Sequence, residues 1–155
     1  MSFRTDTVRA GRRGGGWSAL LWVACVGCED PRTSVPAPDP RVFRAAVYPV
    51  LLRDCGFAGC HGDPRRPLFT PGPGRVRLDP ATDLYDAPTE AELGRAYDRA
   101  RALLLREGDE PAPLLHKPGP EAAHRGRDRA GRNVYEDPED PGLATLRAWA
   151  GEDGL

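Results

Sequence analysis

Three side chains able to bind or exchange electrons crowd into one stretch, LLRDCGFAGCHGD: Cys55, Cys60 and, directly after the second cysteine, His61. Three chemistries compete for such a set. Two cysteines can form thioether bonds to the vinyl groups of a haem, with the adjoining histidine as the proximal iron ligand; the common spacing for this is two residues between the cysteines. Here four residues intervene, Gly56, Phe57, Ala58 and Gly59, and the two glycines give the loop freedom to close. A zinc site would need Cys55, Cys60, His61 and a distant His116 or His124, but adjacent Cys60 and His61 are awkward co-ligands, because zinc ligands usually come in separated pairs. A Cys55–Cys60 disulfide, with His61 a bystander, closes so small a loop that it would stabilise by only about 2 kcal/mol. Covalent haem uses all three residues in their given order and is the reading the stretch favours.

An iron in a porphyrin also needs a decision about its sixth position. The chain has one methionine, Met1, and signal processing would remove it, so methionine ligation is excluded. His116, His124, Lys117 or an open position remain. Bis-histidine ligation would set a lower potential than a His/Met pair, since methionine raises it. An open position would allow peroxidase-like or gas-binding chemistry. The arginine-rich loop HRGRDRAGR adds Arg125, Arg127, Arg129 and Arg132. One or two of these forks suit haem carboxylates, and the rest read as a solvated loop balanced by Glu121, Asp128 and Glu136.

The elements that must position these residues read as helices joined by long loops. Asp39 as N-cap, Pro40 in the first turn and the stripe Val42, Phe43, Ala46, Val47 and Val50 predict a helix leading into Cys55, which Pro49 should kink or end late. A long Pro/Gly-rich span follows, in which Val76 and Leu78 could mark a brief strand or an extended loop. Thr89 and Glu92 form a capping-box pattern ahead of Leu93, Tyr97, Ala100 and Leu104, with Gly108 as the stop. After a second loop-rich span, 109–139, a last helix starts at Asp140–Pro141, turns Leu143, Leu146 and Trp149 inward and ends at Gly151. Phe43 and Trp149 should meet as core contacts between the terminal helices. Loops this long in a small domain call for an explanation, and a large central prosthetic group would supply one.

The N-terminus reads as an export signal. RTDTVRAGRRGGG is a basic leader and WSALLWVACVG an apolar run too short to span a bilayer. The run ends at CVGCEDPR, a pattern like a bacterial lipoprotein processing site, with Cys28 the expected lipidated residue and Cys25 the second choice. Arg12–Arg13 gives only a weak twin-arginine match, since glycines follow. The chain thus divides into a signal segment, 1–27, a Pro-rich tether, 28–40, and a domain, 41–155. Export puts the remaining cysteines in an oxidising compartment, where haem attachment and disulfides are both permitted. The 155 residues are 39% hydrophobic and carry 18 glycines and 17 prolines, a thin apolar inventory for a core without a staple. Net charge is −1, so no global field points to nucleic acid.

The segments FRAAVYPVLLRDCGFAGCHGD, PAPLLHKPGPEAAHRGRD and VYEDPEDPGLATLRAWAGE together resemble the cytochrome c-like domains of lipoproteins from myxobacteria and planctomycetes. Those domains carry a V-x-P-[I/V]-L turn, a cysteine–cysteine–histidine motif of variable spacing, an LL-x-K-P segment, an H-x-G-G-like segment and a closing L-x-x-W helix. The resemblance runs from Phe43 to Gly151. It implies an all-α, small cytochrome c-like domain of about three helices with haem-wrapping loops, thioethers at Cys55 and Cys60, His61 as proximal ligand and His124 as the distal candidate. His116 falls where the family pattern varies, and Arg127 stands where a second glycine would be. The expected function is that of a lipid-anchored monohaem electron carrier with one haem c, facing the periplasm or cell surface and meeting a redox partner protein. It is not expected to be an enzyme: no nucleophile–base pair, paired acid signature or phosphate loop is evident. The alternative is a haem-free lipoprotein with a Cys55–Cys60 disulfide, acting as a structural or binding module.

Overall fold

The computed structural model describes residues 36–120, 122 and 133–151. The signal segment with Cys25 and Cys28, the tether up to residue 35, and Glu121, His124, Arg125, Arg127, Asp128, Arg129 and Arg132 lie outside the described residues. Among the described residues the secondary structure is all helical, with no strand. Helix α1 runs over residues 40–54 in three consecutive pieces: Pro40–Val42, a π turn over Phe43–Val47, and Tyr48–Asp54. The Asp39 carboxylate accepts from the Arg41 N–H at 2.7 Å, so the N-cap and the N1 proline fall where the sequence puts them. Pro49 does not end the helix. It has no N–H to give, and its ring would strike the carbonyl four residues back. The wider π turn just before it, closed by Tyr48 N–H on the Phe43 carbonyl, carries the chain past that clash.

Helix α2, Glu90–Ala102, opens with the full capping box: Thr89 Oγ1 accepts from the Glu92 N–H at 3.2 Å and Glu92 Oε2 from the Thr89 N–H at 2.9 Å. It stops at Ala102, six residues short of the expected Gly108. The Leu103 and Leu104 amides bond three residues back, to Ala100 and Arg101, and the Leu103 carbonyl turns aside to accept from Leu114 N–H at 3.0 Å. This turn leaves Leu104 buried in the core. Gly108, at φ +63°, serves the next turn instead. Helix α3 is a single turn, Pro113–His116, inside the span read as loop. Helix α4, Pro141–Ala150, has Asp140 as its cap and Gly151, at φ +77°, as its left-handed stop.

These helices bury one cluster. Phe43, Val47 and Leu51 of α1 meet Leu93, Ala96 and Ala100 of α2, Leu114 and Leu115 of α3, and Leu143, Leu146 and Trp149 of α4. At its centre Phe43 packs against Trp149, with ring centroids 5.2 Å apart, and edge-on against Tyr97 at 5.4 Å. Trp149 Nε1 donates to the Asp39 carbonyl at 3.2 Å and the Tyr97 hydroxyl to the Pro38 carbonyl at 2.8 Å. The chain is therefore fastened to the core from Pro38 onward, just ahead of the expected boundary at 41.

The loop over residues 72–88 is held from inside. Arg77 Nε and Nη2 form a two-point pair with Glu92, at 2.8 and 2.9 Å, and both side chains are buried, at 5% and 1% exposure. The same guanidinium donates to the carbonyls of Asp83, Asp86 (3.0 Å) and Ala87 (3.2 Å), while Glu92 also accepts from Leu78 N–H at 3.1 Å. Val76 and Leu78 thus sit in a loop organised around one ion pair and form no strand.

Candidate functional site

Cys55 is the C-cap of α1; its amide closes the last turn on the Leu51 carbonyl at 2.9 Å. From there the chain makes one tight circuit. His61 N–H returns to the Cys55 carbonyl at 3.0 Å, and the Phe57 carbonyl accepts from both Cys60 N–H (2.8 Å) and Gly62 N–H (2.9 Å). This circuit accommodates the four-residue spacing: the extra residues, with Phe57 49% exposed, bulge outward while Cys55 and His61 are drawn together at the base. The two glycines credited with closing the loop are not equivalent. A Cβ at Gly56 would lie 2.9 Å from the Leu52 carbonyl oxygen, whereas one at Gly59 would meet nothing within 4 Å. The second tight position is Gly62, where a Cβ would lie 2.7 Å from the Gly56 carbonyl oxygen.

The segment Leu68–Pro71 forms the other wall. Leu68, Phe69, Thr70 and Pro71 are all buried. Thr70 N–H donates to the His61 carbonyl at 2.8 Å, and Pro71 accepts from the buried Tyr48 hydroxyl at 2.8 Å. Burial, with Glu92 nearby, pushes the Tyr48 phenol up to about 12, so it stays a donor. The Leu68 carbonyl lies 3.2 Å from His61 Nδ1. A carbonyl can only accept, so in that contact Nδ1 carries the proton, and in the neutral tautomer of that kind the acceptor nitrogen is Nε2.

The two cysteines differ. Cys55 is 6% exposed and Cys60 half-buried, and both are free thiols in this structure. Burial pushes the Cys55 thiol up to about 12, with Asp54 and Cys60 adding to the effect. It is not poised as a thiolate nucleophile. Beside it, Asp54 accepts from Arg53 Nε at 2.6 Å and from the buried Tyr135 hydroxyl at 3.1 Å. Arg75 clamps the end of α1: its Nε donates to the Leu52 carbonyl at 3.0 Å and its guanidinium stacks 4.1 Å above the Phe57 ring. Neither Tyr135 nor Arg75 was marked by sequence, since each acts through a partner far away along the chain.

His116 is half-buried on α3 and packs its backbone into that turn; its carbonyl accepts from Gly119 N–H at 3.1 Å. His124 lies outside the described residues. Among the described residues no group of three or more His, Cys, Asp or Glu side chains is arranged to hold a metal ion. A tetrahedral zinc site needs its ligands to converge on a point. Covalent haem does not: the sulfurs attach to the ring edge, and the protein need offer the iron only one nitrogen from this motif. The donor set Cys55, Cys60 and His61, with Nδ1 held by a carbonyl, fits that requirement. Among the described residues no helix is long and apolar enough to cross a membrane. No family model, no curated protein and no solved structure matches the chain.

Proposed function

We propose that this chain is an exported, lipid-anchored monohaem c-type protein that carries single electrons at the periplasmic or cell-surface side of a membrane. The fold would be a small cytochrome c-like domain, with Cys55 and Cys60 as thioether residues, His61 as proximal ligand through Nε2 and Cys28 as the lipidated residue. The observation that carries this reading is the 3.2 Å contact of His61 Nδ1 with the Leu68 carbonyl. Ligating histidines characteristically donate their other ring N–H to a backbone carbonyl or carboxylate, which fixes the tautomer and raises ligand basicity. Haem, when bound, supplies a one-electron couple whose potential the protein sets through axial ligands, burial and hydrogen bonds. The protein's part is to hold His61 between the Cys55 and Thr70 backbones, each bonded to the His61 main chain, at 3.0 and 2.8 Å. A rigid ligand limits the rearrangement that accompanies a change of iron oxidation state. The sixth ligand is assigned to His124, with His116 as the alternative.

Expression in a host with cytochrome c maturation tests this. Sharp reduced-minus-oxidised bands that survive acid–acetone extraction are expected. They should disappear in a Cys55→Ala/Cys60→Ala variant. A colourless parent protein would refute the haem reading and leave the haem-free lipoprotein. In loaded protein, His124→Ala should convert a low-spin spectrum to high-spin; if His116→Ala does so instead, His116 is the distal ligand.

A further inference from the structure

Among the described residues six large apolar side chains are exposed, and five of them, Phe57, Val76, Leu78, Leu84 and Tyr85, belong to two loops that touch. Four lie on the 72–88 loop, whose two limbs are pinned side by side. Gly74 N–H donates to the Leu84 carbonyl at 2.8 Å, and Arg77 reaches from one limb to the carbonyls of Asp83 and Asp86 on the other. Phe57 is joined to that loop by Arg75, which stacks on its ring. Tyr85 stands furthest out, at 79% exposure. The buried Arg77–Glu92 pair fixes the loop from inside, so these side chains are presented on a preorganised backbone that has little freedom to lose on binding. Single exposed apolar residues need no explanation, but a group of them on a rigid surface marks a contact site.

Charge decides what can cover it. Every exposed charged residue of the 72–88 loop is acidic: Asp79, Asp83 and Asp86. Arg77 is buried on Glu92, and Arg75 is engaged by the carbonyls at the end of α1 and by Phe57. None of the three aspartates has an ion pair among the described residues, and Asp79 and Asp83 accept only from amides of their own turns. A second copy docked by the same face would set like carboxylates against each other, and an anionic lipid surface carries the same sign. Position agrees with charge. The described chain begins at the N-terminal end of α1, where Pro38 is fastened to Tyr97, whereas Arg75 holds Leu52 near the other end, about 20 Å along the helix. A tether entering there leaves the Phe57 edge clear. We propose that this surface docks a protein partner whose contact face is apolar at its centre and ringed by arginine or lysine. Leu84 and Tyr85 are the anchors, and Asp79, Asp83 and Asp86 the charged rim. The proposal does not depend on the haem reading, since none of these residues is a proposed haem ligand.

The probe is a fluorescent peptide that alternates arginine with leucine and tryptophan, titrated with the mature protein. Two matched peptides carry glutamate for arginine, or serine for leucine and tryptophan. Only the first should bind, with an affinity that falls as salt rises. Leu84→Ser/Tyr85→Ser should weaken binding at least about tenfold, because it removes the anchors. Asp79→Asn/Asp83→Asn/Asp86→Asn keeps the side-chain oxygens that form the turns; it should weaken binding about tenfold at low salt and flatten the salt dependence. Val42→Ser, at the sixth exposed apolar residue, in the first turn of α1, should change nothing. If the double variant does not fold, Tyr85→Ser alone replaces it. No binding of the first peptide, equal binding of all three, or an affinity indifferent to both sets of substitutions would overturn the proposal. So would a concentration-dependent dimer, or binding to phosphatidylglycerol vesicles, that Leu84→Ser/Tyr85→Ser abolishes; the first would make a second copy the occupant and the second a lipid surface.

Discussion

The Arg77–Glu92 pair gives the strongest quantitative consequence of the fold. Glu92 accepts four hydrogen bonds, two from the Arg77 guanidinium and one each from the Leu78 and Thr89 amides. Burial alone would raise its pKa, but these partners prevail and hold it at about 2 against an ordinary 4.5. A carboxylate whose pKa is lower in the folded chain contributes stability above its unfolded value and loses it as pH falls through the folded one. At 1.36 kcal/mol per pH unit, the interval between 4.5 and about 2 corresponds to about 3 kcal/mol. Replacing one partner of a buried pair costs about 3–5 kcal/mol, because the other charge is stranded. The variant Glu92→Gln keeps the shape, strands Arg77, and turns two acceptor contacts into donor–donor conflicts. It should be less stable than the parent by about 3 kcal/mol near neutral pH, a loss of more than about 10 °C in Tm for a domain of this size. The gap should narrow below about pH 4.5 and close below about pH 2, where the folded parent's carboxylate becomes protonated. Denaturant unfolding followed by helical circular dichroism, repeated across that pH range on both proteins, measures it. Asp39 and Asp63 also have lowered pKa values, so parent stability alone will not isolate Glu92; the difference between the two proteins does. A gap independent of pH, or smaller than about 0.5 kcal/mol throughout, would refute the assigned role.

Gly62→Ala should destabilise by about 1–3 kcal/mol, because its Cβ would sit 2.7 Å from a backbone oxygen that cannot swing away, while Gly59→Ala should stay within about 0.5 kcal/mol of the parent. Thermal melts of both, side by side, test whether the loop closes as described. Burial raises the phenols of Tyr48 and Tyr135, so their contribution is complete below about pH 10 and declines as alkali ionises the unfolded chain first. Tyr135→Phe should flatten part of that alkaline loss, seen in unfolding curves above pH 10, and should cost about 1.5 kcal/mol at neutral pH through the lost bond to Asp54. Arg75→Met should cost about 1 kcal/mol and speed hydrogen exchange at the Cys55 amide, because it releases the carbonyl end of α1 and uncovers Phe57.

Helix starts were legible because they are local. Asp39–Pro40, Thr89 with Glu92, and Asp140–Pro141 each specify a cap within four residues, and all three hold. The Phe43–Trp149 contact was also readable, since each is the largest apolar residue on an inward stripe. Helix ends were harder. The stop at Ala102 goes with Leu114, twelve residues on, reaching the Leu103 carbonyl, and no local signal encodes that bond. At the site, the spacing of Cys55, Cys60 and His61 was plain, but the groups that hold them in place were not. Leu68 acts through its carbonyl, and a carbonyl looks the same in every residue. Tyr135 and Arg75 are ordinary types whose roles exist only once the chain brings them to the end of α1.

The long loops take on a different meaning in the fold. Their length pointed to a central prosthetic group around which they could wrap. Over residues 72–88 that inference is unnecessary: two arginines satisfy the loop from within, Arg75 on Leu52, Arg53 and Gly74 and Arg77 on Asp83, Asp86 and Ala87, all through carbonyls. A guanidinium with five donors can replace much of a missing apolar core when the loop presents its carbonyls inward. This accounts for the way a chain with a thin apolar inventory orders so much irregular backbone. Loop length therefore counts toward haem only over residues 55–71, where the wall is fastened to His61. There the Cys55 and Thr70 backbones bond the main chain of His61, and the Leu68 carbonyl meets its ring. What favours the proposed haem is therefore the carbonyl on the His61 ring and not the size of the loops.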